Sequence, residues 1–152
     1  MTDIRFRVLT DPEPLHTLKL RTEDQRELVT MFGIPANKVL ELSWSSSLWT
    51  KVAEVDGEIV TVFGLSESGN PWMVGTDRMM DFPLTVVKAG YRYVKECLES
   101  FDYIWNYVDT RNITHIRWLV RMGFIFKPDV LTFNGVEYIY FYKEKPECVD
   151  PQ

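Results

Sequence analysis

The chain has 152 residues, 45% of them hydrophobic and 14% aromatic, which supplies one domain with its own core and excludes an intrinsically disordered chain. A formal net charge of −5 argues against a sequence-independent nucleic-acid coat, which needs an excess of Lys and Arg, so no direct nucleic-acid partner is expected. No apolar run approaches the roughly 18–20 residues that cross a bilayer, and the start of the chain lacks the charged-then-apolar order of a signal peptide; the expectation is a soluble, non-secreted protein with no membrane partner.

The first element is an alternating stretch in which Ile4, Phe6 and Val8 share one face and Arg5 and Arg7 the other, the pattern of a half-buried strand. Asp11-Pro12-Glu13-Pro14 ends it. Thr22 with Gln25 three residues on reads as a capping box opening a helix whose apolar face is Leu28, Met31 and Phe32 and whose stop is Gly33. A second helix begins at Pro35 and runs through Val39, Leu40 and Leu42, with Ser43 to Ser47 as its frayed end or a loop.

From Trp49 the hydrophobic period changes to two. Lys51 to Val55 and Glu58 to Phe63 flank Asp56-Gly57, a pair suited to a two-residue hairpin turn. Glu67 to Pro71 forms the next turn, leading to a short strand at Trp72 to Thr76. The longest helix starts near Pro83, with Leu84, Val87, Tyr91, Val94, Leu98 and Phe101 at steps of three and four as its expected buried face. Tyr103 to Val108 suits a central strand. Asn112 then caps a helix carrying Ile113, Ile116, Leu119 and Val120, which Gly123 ends, and Asn134-Gly135 turns a terminal hairpin. Cys97 falls in the long helix and Cys148 in the polar tail, so no disulfide framework is recognisable; with His16 and His115 the only histidines, no metal site is expected.

This element order, together with Asn112-Ile113-Thr114-His115-Ile116-Arg117-Trp118-Leu119-Val120-Arg121-Met122-Gly123-Phe124, resembles the GNAT acetyltransferase superfamily, in which Asn112, Ile116, Gly123 and Phe124 match in register. The resemblance implies an α/β (α+β) fold, a mixed and mainly antiparallel sheet flanked by helices. It covers residues 1–143, a single domain, and leaves 144–152 as a polar C-terminal tail expected to be loose. Trp105-Asn106-Tyr107-Val108, Asn112, Thr114 to Arg117 and Leu119 also resemble the internal virion proteins of short-tailed phages, small GNAT-like proteins packaged in the head. That resemblance implies location in the virion interior, and in the host cytoplasm during infection, a role in the head core or genome ejection, and other phage virion proteins or a host protein as partners.

The parts needed for acetyl transfer are incomplete. The superfamily binds the pyrophosphate of acetyl-CoA on main-chain N–H groups of a glycine-rich loop before the long helix. Here Val74 to Pro83 has one glycine, Gly75; Met79, Met80 and Phe82 are bulky, and Asp77 and Asp81 repel phosphate. The superfamily's general acid, a Tyr seven residues after the Asn, falls on Leu119, which has no proton to give; Tyr107 is a possible substitute. Glu54, Asp109 and His115 are candidate general bases, with backbone or solvent hydrogen bonding the simpler reading of His115. Asn112 reads first as a helix cap. Asn106, in an apolar strand, either lines the cleft or bonds a neighbouring loop. Arg111, Arg117 and Arg121 form a basic surface near Lys127, read as a solvated helix face, and Trp44, Trp49 and Trp72 as packing residues. The expectation is a degenerate acetyltransferase fold that acts through protein contacts without a cofactor. The alternatives are an acetyl-CoA-dependent N-acetyltransferase whose atypical cofactor site uses Val74, Gly75, Thr76 and Asn112, and a phage early protein that binds a host factor.

Overall fold

Ile4–Val8 (β1) and Ser47–Val55 (β2) pair antiparallel, and β2 continues the ladder with Glu58–Ser66 (β3), which pairs with Pro71–Gly75 (β4). The computed structural model describes residues 3–147, so Cys148 and the rest of the tail to residue 152 lie outside the described residues. Between β1 and β2 lie a 3-10 turn at Glu13–Thr17 and two helices, Thr22–Phe32 (α1) and Ala36–Ser45 (α2). After β4 come a 3-10 turn at Asp77–Asp81, the long helix Pro83–Ser100 (α3), Tyr103–Asp109 (β5), Ile113–Arg121 (α4) and the hairpin Ile125–Phe133 (β6) with Val136–Glu144 (β7). The mixed, mainly antiparallel α+β architecture is as expected. The strands form two sheets, β1-β2-β3-β4 and β5-β7-β6, which meet where β4 faces β5 without a shared ladder.

Both hairpins follow from their turn residues. Asp56 and Gly57 have φ of 50° and 82°, and Asn134 and Gly135 have 49° and 78°, the double positive φ that matches the twist of two tightly joined strands. Gly33, at φ 68°, closes α1 with its N–H on the Val29 carbonyl.

Four local expectations are corrected. Thr22 is already helical; Arg21 is the N-cap and no side chain caps α1, so the capping box does not form. Asp24 instead turns inward and is 3% exposed. Ser43 to Ser45 belong to α2 and Ser47 opens β2, because Trp44 anchors the last turn by donating its Nε1–H to the Leu9 carbonyl at 2.9 Å. Of the expected α3 face, Val94 and Leu98 are buried and Val87 and Phe101 pack against the core, but the face centres on Gly90, Tyr93 and Cys97, and Leu84 and Tyr91 are 72% and 51% exposed. Gly90 accounts for this rotation: a β-carbon there would lie 2.7 Å from the Trp118 side chain and 2.8 Å from the Met122 sulfur, so the glycine makes room for these side chains against α3. At the C-terminus β7 runs to Glu144, opposite Tyr103, and Lys145 N–H donates to the Asp102 carbonyl, so the first residues of the expected loose tail are tied down.

Two main cores result. Phe63, Leu65, Tyr93, Cys97, Leu98, Ile104, Leu119 and Phe141 form one beneath α3 and α4. Leu9, Leu15, Leu40, Val52, Val62 and Val74 form the other beneath α2. Tyr93 joins α3 to β3 and β4, its hydroxyl lying 2.6 Å from the Gly64 carbonyl and 3.1 Å from that of Trp72. Trp49 packs edge-on to Tyr93 and Trp72 donates its Nε1–H to Ser47 Oγ, so these indoles pack internally as expected.

Candidate functional site

The divergence of β4 from β5 opens a cleft of about 280 Å³, walled by α1, α2, β4 and β5 and including Met73, Asn106, Tyr107 and His115. Because β4 pairs with β3 on one side only, its other edge faces β5, and there the main-chain groups of Pro71 and Gly75 take partners from outside the ladder. Side chains occupy most of this edge. Asn106 Nδ2 donates to the Pro71 carbonyl at 2.9 Å, while Asn70 Nδ2 donates to the Trp105 carbonyl at 2.9 Å. Asn106 therefore performs both roles open to it, lining the cleft and bonding the facing strand. At the other end, Gly75 N–H donates to Asp24 Oδ2 at 2.9 Å and the Gly75 carbonyl accepts from Arg21 N–H at 2.8 Å. The first turn of α1 thus takes both main-chain groups of Gly75.

Asp24 begins a polar cluster that the sequence does not reveal, since it joins residues about ninety positions apart. Asn112, 1% exposed, caps α4 weakly through the His115 N–H at 3.4 Å and donates its Nδ2 to Asp24 Oδ1 and Glu27 Oε2, each at 3.0 Å. Glu27 Oε1 accepts from Asp109 N–H at 2.7 Å, and Glu27 Oε2 lies 3.9 Å from His115 Nδ1. Burial acts to lower the His115 pKa, but the carboxylate of Glu27 at ion-pair distance, with the charge of Asp24, outweighs it and holds the imidazole above its ordinary value. Burial likewise acts to raise the Asp109 pKa, but the Arg111 side chain and N–H outweigh it and hold the carboxyl below its ordinary value. Asp24, Glu27 and His115 bring their ligating atoms within 4.8 Å of one another. Every oxygen of the two carboxylates already accepts a hydrogen bond from the chain, so the trio is a closed ion-pair network and not an open coordination site.

The residues expected to serve acetyl-CoA can be tested against this geometry. Gly75 is taken by α1 and covered by Met79, whose sulfur would lie 2.5 Å from a β-carbon at that position. Thr76 lies just past β4 and gives its N–H to the Val60 carbonyl at 2.9 Å; Val74 faces β3 in the ladder and is buried. Asn112 is committed to carboxylates. The loop before α3 is a closed 3-10 turn in which Met79 N–H bonds Thr76 and Phe82 N–H bonds Met79. Its one cation, Arg78, is directed to Glu58 and Asp56. These residues do not fit a pantetheine arm on β4 or a pyrophosphate at this loop. Leu119, the position at which the resemblance leads one to expect a tyrosine, is 2% exposed inside the core.

The candidate bases are separated. Glu54 pairs with Arg7 on the β1–β2 face, Asp109 is bound by Arg111, and only His115 borders the cleft. Tyr107 also borders it, packed edge-on to Tyr140 and Phe133. A second groove, of about 270 Å³, lies between α3 and α4 and includes Arg21, Met80, Val87, Arg117, Trp118 and Arg121. Lys127 is not part of the arginine surface; its ammonium lies over the Tyr140 and Tyr142 rings, 4.8 and 5.4 Å from their centroids.

Residues 50–130, more than half of the chain, match the family model described as "Bacteriophage T7, probable scaffold protein Gp13". The chain belongs to this family. No curated protein sequence matches it. Among solved structures, this phage protein is similar to Ard1 from Thermoplasma volcanium, with a TM-score of 0.65, 17% identity, and coverage of 95% of this chain and 99% of that one. It is similar to the GNAT domain of S. lividans PAT, with a TM-score of 0.62, 14% identity, and coverage of 92% and 90%. A GNAT family acetyltransferase from Elizabethkingia anophelis with acetyl-CoA bound matches with a TM-score of 0.57, 11% identity, and coverage of 93% and 98%. At these identities the likeness establishes the fold: the chain is a phage protein of GNAT-like architecture. Among the described residues no helix is long and apolar enough to cross a membrane.

Proposed function

We propose that this phage protein is a component of the virion interior, in the head core or ejection machinery, and acts through contacts with other virion proteins without transferring an acetyl group. The observation that carries this reading is the double capture of Gly75: the strand edge to which the fold would present an acyl donor is held by Arg21 and Asp24 of the same chain. Leu119 in the place of the proton donor supports it independently. A surface suited to protein contact supports it further. On the outer sheet Tyr103 stacks on Tyr142 and Trp105 on Tyr140, on the same face as Ile125 and Leu131 of β6, which are 54% and 40% exposed. Mass spectrometry of purified virions tests the location, with the chain expected in intact particles. Its absence from particles combined with its presence in infected cells favours the early host-binding alternative instead.

A second reading, an acetyl-CoA-dependent N-acetyltransferase with an atypical site, is favoured by the groove between α3 and α4. Arg21, Arg117 and Arg121 border it, and the buried Trp118 Nε1 has no hydrogen-bond partner. Calorimetric titration with acetyl-CoA separates the readings: the non-catalytic one expects no heat and no thermal shift, and saturable binding would overturn it.

A further inference from the structure

We propose that the junction of the two sheets is a proton-dependent clasp, in which protonated His115 holds α1 against β4 and β5, and loss of that proton releases the first two turns of α1 from the cleft edge. The junction has no β ladder; beyond the core that packs Leu65 of β3 against Ile104 and Phe141, its polar closure consists of individual bonds. Those made by the N-cap and first two turns of α1 are Arg21 N–H to Gly75, Gly75 N–H to Asp24, Asp109 N–H to Glu27, Asn112 Nδ2 to both carboxylates, and the Tyr138 hydroxyl to the Glu27 carbonyl at 2.9 Å; Thr30 in the last turn separately accepts from Asn134 and Arg111.

The charges at this junction balance only when His115 carries a proton. Arg21 pairs with Asp24 at 3.1 Å and Arg111 with Asp109 at 2.6 Å. Glu27, whose side chain is 13% exposed, has no arginine within ion-pair distance, Arg111 acting on it only as a more distant charge; its ion-pair partner is His115. The other charged groups do not replace it. Glu23 faces Arg21 from outside, Arg26 acts on Asp109, and Arg117 lies along α4 toward the α3 groove. Tyr107 from β5, Tyr93 from α3 and Tyr138 from β7 also border this region, and burial raises the pKa of Tyr93 and Tyr138, so neither supplies charge where imidazole titrates; β4 contributes only apolar residues and glycine. A neutral imidazole therefore leaves a carboxylate in a mostly buried place with neutral donors alone, and α1 relieves this by carrying Glu27 into water. The clasp and the proton are linked: closure favours protonation, so deprotonation favours opening.

Hydrogen exchange of the full chain at about pH 6 and about pH 8.5, corrected for the intrinsic rate, tests the clasp. Amides of 21–28, 73–76 and 105–109 are expected to lose protection by roughly fivefold or more at the higher pH, while those of 93–98 in α3 hold theirs. His115→Gln is expected to exchange at the faster rate in these segments at both pH values. His16→Gln, which alters the one other histidine, 43% exposed beside Glu41, is expected to keep the wild-type step. The wild type and His16→Gln suffice should His115→Gln fail to fold. Equal protection of the junction at both pH values, an equal loss in α3, or disappearance of the step in His16→Gln would overturn the proposal.

Discussion

Asn112 shows how one side chain can serve a local and a distant purpose together. Its oxygen addresses the start of α4, as any helix-capping amide does, but its nitrogen is the shared donor to Asp24 and Glu27. Asn112→Ala is expected to destabilise the protein by about 2–3 kcal/mol, above an ordinary cap loss, because two buried acceptors lose their donor as well. Asn112→Asp preserves the cap but sets a third carboxylate against the other two and is expected to cost more than the alanine. Urea denaturation of both variants checks the order; a smaller loss for the aspartate would show that the cap dominates. Leu119 is a second such position. Restoring a hydroxyl with Leu119→Tyr is expected to overpack the core at a cost of about 1–3 kcal/mol, and to yield no acetyl transfer from acetyl-CoA, because the cleft edge remains occupied.

At the scale of elements, α3 separates what periodicity can and cannot say. The spacing of apolar residues identifies a helix with one buried side, but Leu84, Val87, Tyr91 and Val94 fit that spacing as well as Tyr93, Val94, Cys97 and Leu98 do. The choice depends on where α4 can approach, which is Gly90. Leu84→Glu is accordingly expected to change stability by less than about 0.5 kcal/mol, whereas Leu98→Ala is expected to cost about 2–4 kcal/mol, both by thermal or urea unfolding. The hairpins were legible because Asp-Gly and Asn-Gly encode their turns locally. The capping box failed for the opposite reason: Thr22 and Gln25 satisfy the pattern, but Asp24 has a stronger partner in the Gly75 amide, far along the chain. On β6, Lys127-Pro128-Asp129 interrupts pairing with β7 between Phe126 and Val130, which blunts the free edge without covering its apolar residues. Leu131→Glu is expected to leave stability within about 0.5 kcal/mol and to lower the copy number of the protein in purified virions. Unchanged incorporation would remove this face from the proposed contacts.

For the whole molecule, the two shifted groups beside α1 set the pH range of stability from opposite sides. The His115 pKa is raised on folding, so its contribution is complete below the unfolded value of about 6.5 and is lost as pH rises through the folded one. The Asp109 pKa is lowered, so its contribution is complete above the unfolded value of about 3.9 and is lost as pH falls through the folded one. Urea midpoints measured across this range are expected to fall on both sides of a maximum in weakly acidic solution, with the alkaline fall absent in His115→Gln.

Composition, hydrophobic period and turn residues determined by themselves the order of strands and helices and the two hairpins, while the resemblance carried by Asn112 to Phe124 implied the GNAT-like architecture and gave meaning to the missing glycine loop and to Leu119. Each of these is written within a short stretch of chain. Only the tertiary structure decided that Gly75 is claimed by Arg21 and Asp24, that Asn112 bridges Asp24 and Glu27, and that His115 completes their charge balance. Those bonds join residues distant in sequence, and whether a buried carboxylate has a partner is a property of the packed molecule, which no local pattern records.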